Sequence, residues 1–225
     1  MGTWFPSPLL PSSPKPIINK SPSNTHPTMK TNLRNPFRRP VAFAFVSLAF
    51  SASSALAADR FWDAAPATSV WVTAGNWSTT TGADTPDPAA APGTSDVAIF
   101  NNASSQLTVD IGTATNSDFK GSTTFASGAG AYIIGTTTSQ IYAMSSAGKT
   151  ITMNSTVVNN QTFNAKWQLG GSGSAADGTY SATNSSTSNK LIFAGGVVAP
   201  AGGTKTVAIS GSGAIDITSN VTKAA

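Results

Sequence analysis

Aspartate side chains hold most of the potential chemistry of this sequence, because all nine acidic residues are aspartates. Asp84, Asp87 and Asp96 fall within one proline-rich stretch, where their carboxylates could meet. Several carboxylates in one loop can bind calcium, and two at a fixed separation can hydrolyse a glycosidic bond. Single aspartates more often cap turns or face solvent. The three residues are candidate calcium ligands, although we expect neither a metal nor a cofactor.

Groups that transfer protons at neutral pH are scarce. The single histidine is His26, and the chain contains no cysteine and no glutamate. A serine nucleophile needs a neighbouring base, which is usually a histidine. Since His26 precedes the export signal predicted below, we expect a non-catalytic protein without a small-molecule substrate. An enzyme that cleaves polysaccharides through aspartates is the less favoured alternative.

Three tryptophans, Trp62, Trp71 and Trp77, lie close together in the sequence. Aromatic faces can stack on sugar rings, because they offer a large area with few rotamers. The same rings can cover the apolar end of a fold built from repeating units, whose terminal units are atypical. We expect the three rings to form such a cap. The alternative is a carbohydrate-binding module, whose partners would be surface glycans.

An export signal is predicted ahead of Ala58. Arg38-Arg39 precede a short apolar run, and Ala55-Leu56-Ala57 follows it, which is the order of a secretory signal peptide. The run is too short for a membrane-spanning helix, which takes about 20 apolar residues. We therefore expect cleavage between Ala57 and Ala58, and a protein that is secreted or displayed at the cell surface.

Cleavage at this position would change the charge of the protein. Seven basic and nine acidic residues would remain, so the formal net charge would change from +4 to −2. The remaining bases are scattered singly and form no stripe that could neutralise phosphates. We expect no nucleic-acid partner. With no cysteine there is also no disulfide framework, so the exported fold must depend on packing and backbone pairing.

The sequence after Ala58 indicates an all-β fold. Strong helix formers are scarce there, while Thr, Ser, Val, Ile, Gly and Asn dominate. Polar and apolar residues alternate in short runs, as at 106–111 and 149–153, and glycines separate the runs. Both a sandwich and a parallel β-solenoid fit this pattern. The small supply of large aliphatic residues favours the solenoid, in which each coil needs few inward side chains.

The tryptophan-rich region contains four motifs in a fixed order: Trp62-Asp63, Gly75-Asn-Trp-Ser78, Pro92-Gly93 and Asp96-Val-Ala-Ile-Phe100. Over residues 59–112 the chain resembles the opening of exported bacterial proteins with autotransporter-associated β-strand repeats. The resemblance implies a right-handed parallel β-helix at the bacterial outer membrane or surface. Further on, Gly211–Ile217 looks like the first half of the family's repeat, but the second half is missing. The resemblance therefore implies a truncated member.

These observations predict four segments. Residues 1–28 are a disordered extension or follow from a misassigned start codon, and residues 29–57 are the signal peptide. Residues 58–105 form a tryptophan-rich cap with a proline- and alanine-rich loop, and residues 106–225 form a truncated solenoid-like region. We expect a structural or adhesive surface segment whose partners are further solenoid coils. An open terminal coil would also predict self-association through residues 211–225.

Overall fold

The computed structural model describes residues 57–112 and 119–224 of the chain. They form β-strands and two single-turn 3-10 helices, Ala74–Asn76 and Ser174–Ala176. No helix within these residues is long and apolar enough to cross a membrane. The predicted all-β fold is confirmed. The extension predicted at residues 1–28 and all but the last residue of the predicted signal peptide lie outside the described residues.

The sixteen strands of the described residues are short, and most contain two to four residues. They are β1 (Asp59–Trp62), β2 (Trp77–Ser78), β3 (Val97–Phe100), β4 (Thr108–Val109), β5 (Ser122–Phe125), β6 (Ile133–Ile134), β7 (Ile141–Ala143), β8 (Thr150–Met153), β9 (Gln161–Phe163), β10 (Lys166–Gln168), β11 (Gly178–Asn184), β12 (Leu191–Phe193), β13 (Val197–Ala199), β14 (Lys205–Ser210), β15 (Ile215–Ile217) and β16 (Val221–Lys223).

The strands form three sheets that the chain visits in turn. Sheet 1 has the order β14-β11-β8-β5-β3-β1-β2, sheet 2 the order β15-β12-β9-β6-β4, and sheet 3 the order β16-β13-β10-β7. From β5 onward, each successive group of three strands supplies one strand to each sheet, so β5 to β16 make four complete coils. The named strands pair in parallel, apart from β1 with β2. The predicted β-solenoid is confirmed.

Alternation of polar and apolar residues decides which side chains enter the solenoid. In β8, Ile151 and Met153 are buried, while Thr150 and Thr152 on the opposite face are half-buried. The same alternation holds in β5, where Phe125 is buried and pairs with Met153 of the next coil. Side chains two residues apart in a strand share a face, so every second residue of a strand points into the core.

Aromatic rings fill much of the interior, which differs from the thin aliphatic core expected from the sequence. Phe100 stacks on Phe125 with ring centroids 5.3 Å apart, and Phe163 stacks on Phe193 at the same distance. Trp167 stacks on Phe193 at 4.9 Å. An aromatic ring buries more area than a leucine side chain, so a few rings per coil supply the apolar surface that aliphatic residues do not.

The corners between sheets depend on glycine and asparagine. Gly196, between β12 and β13, has a φ of +79°, and a Cβ there would collide with the carbonyl oxygen of Asn220 in the next coil. At another corner the fully buried Asn184 donates from Nδ2 to the carbonyl oxygen of Ala214, at 2.7 Å. Its Oδ1 accepts a hydrogen bond from the backbone N–H of Ser186, at 2.9 Å. Successive coils are thus tied together at corners where the ladder is interrupted.

Candidate functional site

The tryptophan cluster, Trp62, Trp71 and Trp77, lies at the N-terminal end of the solenoid. Trp62 ends β1, Trp77 begins β2, and Trp71 lies in the loop between these strands. The ring centroid of Trp77 is 5.0 Å from that of Trp62 and 4.8 Å from that of Trp71, both in edge-to-face geometry. All three rings lie about 6 Å from Phe100, so the cluster continues the aromatic column of the interior.

Hydrogen bonds fix the loop that carries the cluster. The indole N–H of Trp77 donates to the carbonyl oxygen of Trp71, at 2.7 Å. Asn76 is fully buried and donates from Nδ2 to the carbonyl oxygen of Val70, at 2.8 Å. The ammonium of Lys120 lies 5.7 Å from the ring centroid of Trp71, in a cation–π contact. The loop is therefore anchored to its own backbone and to the first complete coil.

Burial decides what the cluster can do in this conformation. The exposed fractions of Trp62, Trp71 and Trp77 are 0%, 1% and 0%. A sugar ring stacks on an aromatic face that solvent can reach, and these three rings present none. Their geometry is that of a cap over the end of the aromatic column. Carbohydrate binding through the same rings would require the cap to open.

Two of the three candidate calcium ligands accept hydrogen bonds from backbone N–H groups. Asp84 Oδ1 accepts a hydrogen bond from the N–H of Ala64, at 2.7 Å. Asp96 Oδ2 accepts one from the N–H of Gly93 at 2.9 Å, and its Oδ1 accepts one from the N–H of Ala58 at 3.2 Å. Carboxylates in such positions stabilise turns, and this role does not require a bound metal ion.

The third candidate, Asp87, is exposed, as is Asp84, and the charges of both act on Asp63. Asp96 instead contacts the start of β1 and its own turn, so the structure does not unite the three predicted ligands. Among residues 57–112 and 119–224, no three His, Cys, Asp or Glu side chains are grouped so that they could hold a metal ion. The described geometry therefore gives no support to Asp84, Asp87 and Asp96 as the candidate calcium ligands that the sequence offered.

Asp63 is a titratable residue of the cap, and in the sequence it stands out only as the second residue of the motif Trp62-Asp63. It follows Trp62 at the end of β1, is only 2% exposed, and has no hydrogen-bond partner for its Oδ1. Burial is the main cause that raises the pKa of this carboxyl to about 7, and the nearby negative charges of Asp84 and Asp87 contribute to the same shift. Asp63 can therefore take up a proton near neutral pH. Nothing in that motif indicates the raised pKa, because burial is a property of the folded cap.

A groove on the outside of sheet 3 offers little room for a small molecule. It has a volume of about 170 Å³ and is lined by Lys166, Gly195, Val197, Val198, Ser219, Asn220 and Thr222. Small-molecule sites usually measure about 300–1,000 Å³ and combine several converging polar groups. Lys166 is the one ionisable side chain in this lining, and a lone exposed lysine offers no acid–base pair.

The last coil of the described chain exposes positions that earlier coils bury. Ile209 in β14 pairs with the buried Ala182, yet Ile209 is 49% exposed. Val221 in β16 pairs with the buried Val197, yet Val221 is 67% exposed. The strands β14, β15 and β16 each lie at the end of their sheet in this part of the chain. One end of the solenoid is thus capped by tryptophans, and the other presents apolar side chains and unpaired strand edges.

Comparison of this chain with protein-family models, with curated proteins and with solved structures finds no match.

Proposed function

We propose that this chain is an exported, non-catalytic structural segment of a bacterial surface protein. In this proposal the tryptophan cluster closes one end of the β-solenoid, and the last coil pairs with further coils. The difference between the two ends is the observation that carries it. Buried rings seal the interior at one end, and Ile209 and Val221 are exposed at the other end. The second end is therefore suited to the addition of further coils. The resemblance to autotransporter-associated repeat proteins agrees with this role.

Contacts at the start of the described fold are compatible with cleavage before Ala58. The N–H of Ala58 lies 3.2 Å from Asp96 Oδ1, and its carbonyl oxygen accepts a hydrogen bond from the N–H of Val97. Cleavage before Ala58 would leave both contacts in place. It would also convert the amide nitrogen into an ammonium beside a carboxylate, which strengthens the hydrogen bond.

Expression of the full chain in a bacterial host that exports proteins tests this part of the proposal. We expect the exported protein to begin at Ala58, because the predicted signal ends before this residue and Ala58 makes the first hydrogen bonds among the described residues. Intact-mass measurement of the protein outside the inner membrane checks this. An exported protein that keeps residues before Ala58, or a protein that stays in the cytoplasm, would contradict the proposed processing.

The open coil predicts self-association. We expect light scattering coupled to size-exclusion chromatography to show dimers or larger species whose fraction grows with concentration. Replacement of both apolar residues, Ile209→Lys with Val221→Lys, should shift the population to monomer, because lysines on an edge disfavour strand pairing.

Val158→Lys is the matched control for this experiment. Val158 is also an exposed apolar residue, but it lies in the turn after β8 rather than on the last coil. This variant should associate like the unmodified chain. A chain that remains strictly monomeric across the micromolar range would show that the last coil does not recruit another copy.

A further inference from the structure

Two rows of small hydroxyl side chains cross the outer face of sheet 1. One row contains Ser122, Thr150 and Ser181, and the other contains Thr124, Thr152, Thr183 and Ser210. All but Ser210, which is exposed, are half-buried, and the alternate residues of β5, β8 and β11 point into the core. We call these seven residues the hydroxyl ladder. The repeated S/T-x-S/T pattern in β5, β8 and β11 therefore places pairs of hydroxyls on one solvent-facing surface.

The ladder has a regular spacing, because the strands that carry it are in register. Neighbouring strands in a sheet lie about 4.8 Å apart, and residues two apart in a strand lie about 6.6 Å apart. Contacts between rungs hold the side chains in line. The hydroxyls of Thr183 and Ser210 are 2.8 Å apart, and Ser122 Oγ accepts a hydrogen bond from the N–H of Thr150 at 3.2 Å.

The chemistry of the ladder limits the ligands that could bind it. None of its side chains is ionisable, so charge complementarity favours an uncharged ligand. Each hydroxyl can donate one hydrogen bond and accept others, and each threonine adds a methyl group beside its hydroxyl. Threonine is also restricted at χ1, so little rotamer freedom remains to be lost on binding. A suitable ligand is uncharged, rich in hydrogen-bond donors and acceptors, and periodic in two directions.

We propose that the hydroxyl ladder binds the surface of crystalline ice. Ice is an uncharged, ordered lattice in which every water molecule donates and accepts hydrogen bonds, so a regular array of uncharged hydroxyls can form many hydrogen bonds with its surface at once. Each hydroxyl alone contributes little to the binding affinity. Because the hydroxyls are held in a rigid array, they can bind simultaneously, and the affinity of the whole array is then much higher than that of one hydroxyl. Neither row contains an aromatic ring on which a pyranose could stack, so a crystalline polysaccharide suits this face less well.

An ice-recrystallisation assay on the full chain tests the proposal, with variants at two matched threonines. Thr152 lies in the middle of the ladder in β8, and Thr162 lies half-buried on the outer face of β9 in sheet 2, between Ile133 and Ile192. We expect the unmodified chain to slow the growth of ice grains at micromolar concentration. Thr152→Lys should raise the concentration required by about tenfold or more, while Thr162→Lys should leave it unchanged.

Thermal melting identifies variants that fail to fold, and Thr124→Lys replaces Thr152→Lys if the latter does not melt like the unmodified chain. Three results would overturn the proposal. They are no effect of the unmodified chain on ice, equal loss in the folded ladder variant and in Thr162→Lys, and full activity of the folded ladder variant. Sedimentation with crystalline cellulose and chitin is run in parallel. Retention on these polymers that depends on Thr152, without an effect on ice, would assign the face to a polysaccharide instead.

Discussion

Replacement of Trp77 by alanine is expected to lower the melting temperature by about 10 °C. Trp77 is fully buried, contacts Trp62, Trp71 and Phe100, and donates its indole N–H to a backbone carbonyl oxygen. Loss of a buried tryptophan lowers the free energy of unfolding by about 3–5 kcal/mol, through lost apolar burial and the cavity that remains. A domain of this length loses about 2–4 °C for each kcal/mol.

Two further variants separate capping from a general effect of mutation. Val72→Ala changes an exposed residue of the same loop and should leave the melting temperature within about 1 °C. Trp77→Phe keeps an aromatic ring but removes the hydrogen bond to Trp71, so its melting temperature should lie between those of the unmodified chain and Trp77→Ala. Unchanged stability of Trp77→Ala together with loss of binding on a glycan array would contradict the capping role.

The stability of the cap is expected to decrease as the pH rises from about 4 to about 7. The pKa of Asp63 is raised from 3.8 to about 7 in the folded state, so in this range the folded chain holds a proton that the unfolded chain has released. Proton release from the unfolded state therefore favours unfolding as the pH rises. Over the whole range the Asp63 contribution amounts to at most roughly 4 kcal/mol.

Comparison with Asp63→Asn isolates this contribution from those of other carboxylates. Asparagine resembles protonated aspartate in shape and has no charge, so the variant should melt at a higher temperature than the unmodified chain at pH 8. At pH 4 the two should melt within a few degrees of each other. Asp216→Asn, at an exposed ion pair with Lys190, is the control and should not reproduce the difference. Equal pH dependence of the unmodified chain and Asp63→Asn would show that Asp63 does not titrate near neutrality.

The sequence predicts the fold class well because the fold depends on local signals. Runs such as Thr150–Met153 alternate with period two, and glycines such as Gly196 mark the corners between strands. These signals fit a sandwich equally well, and the small supply of large aliphatic residues was what favoured the solenoid. The count of aliphatic residues did not consider that Phe125, Phe163 and Phe193 would lie in successive coils and fill the interior. Which rings meet depends on register, and register depends on the length of every turn.

The properties of the cap were less predictable from the sequence. The proximity of Trp62, Trp71 and Trp77 in the chain suggested that they would meet, and their burial supports one of the two roles that the sequence left open. The burial and the raised pKa of Asp63 have no such signal in the sequence. Its pKa depends on burial beside Asp84 and Asp87, residues far enough away in sequence that only the folded loop brings them near.

Circular dichroism with thermal melting, on the full chain and on residues 58–225, tests the central claim that this chain forms a capped β-solenoid. The account predicts a β-type spectrum and one cooperative transition for both proteins. The transition should move to lower temperature in Trp77→Ala and remain in place in Val72→Ala. A random-coil spectrum without a transition would show that these coils do not fold alone and would contradict the account.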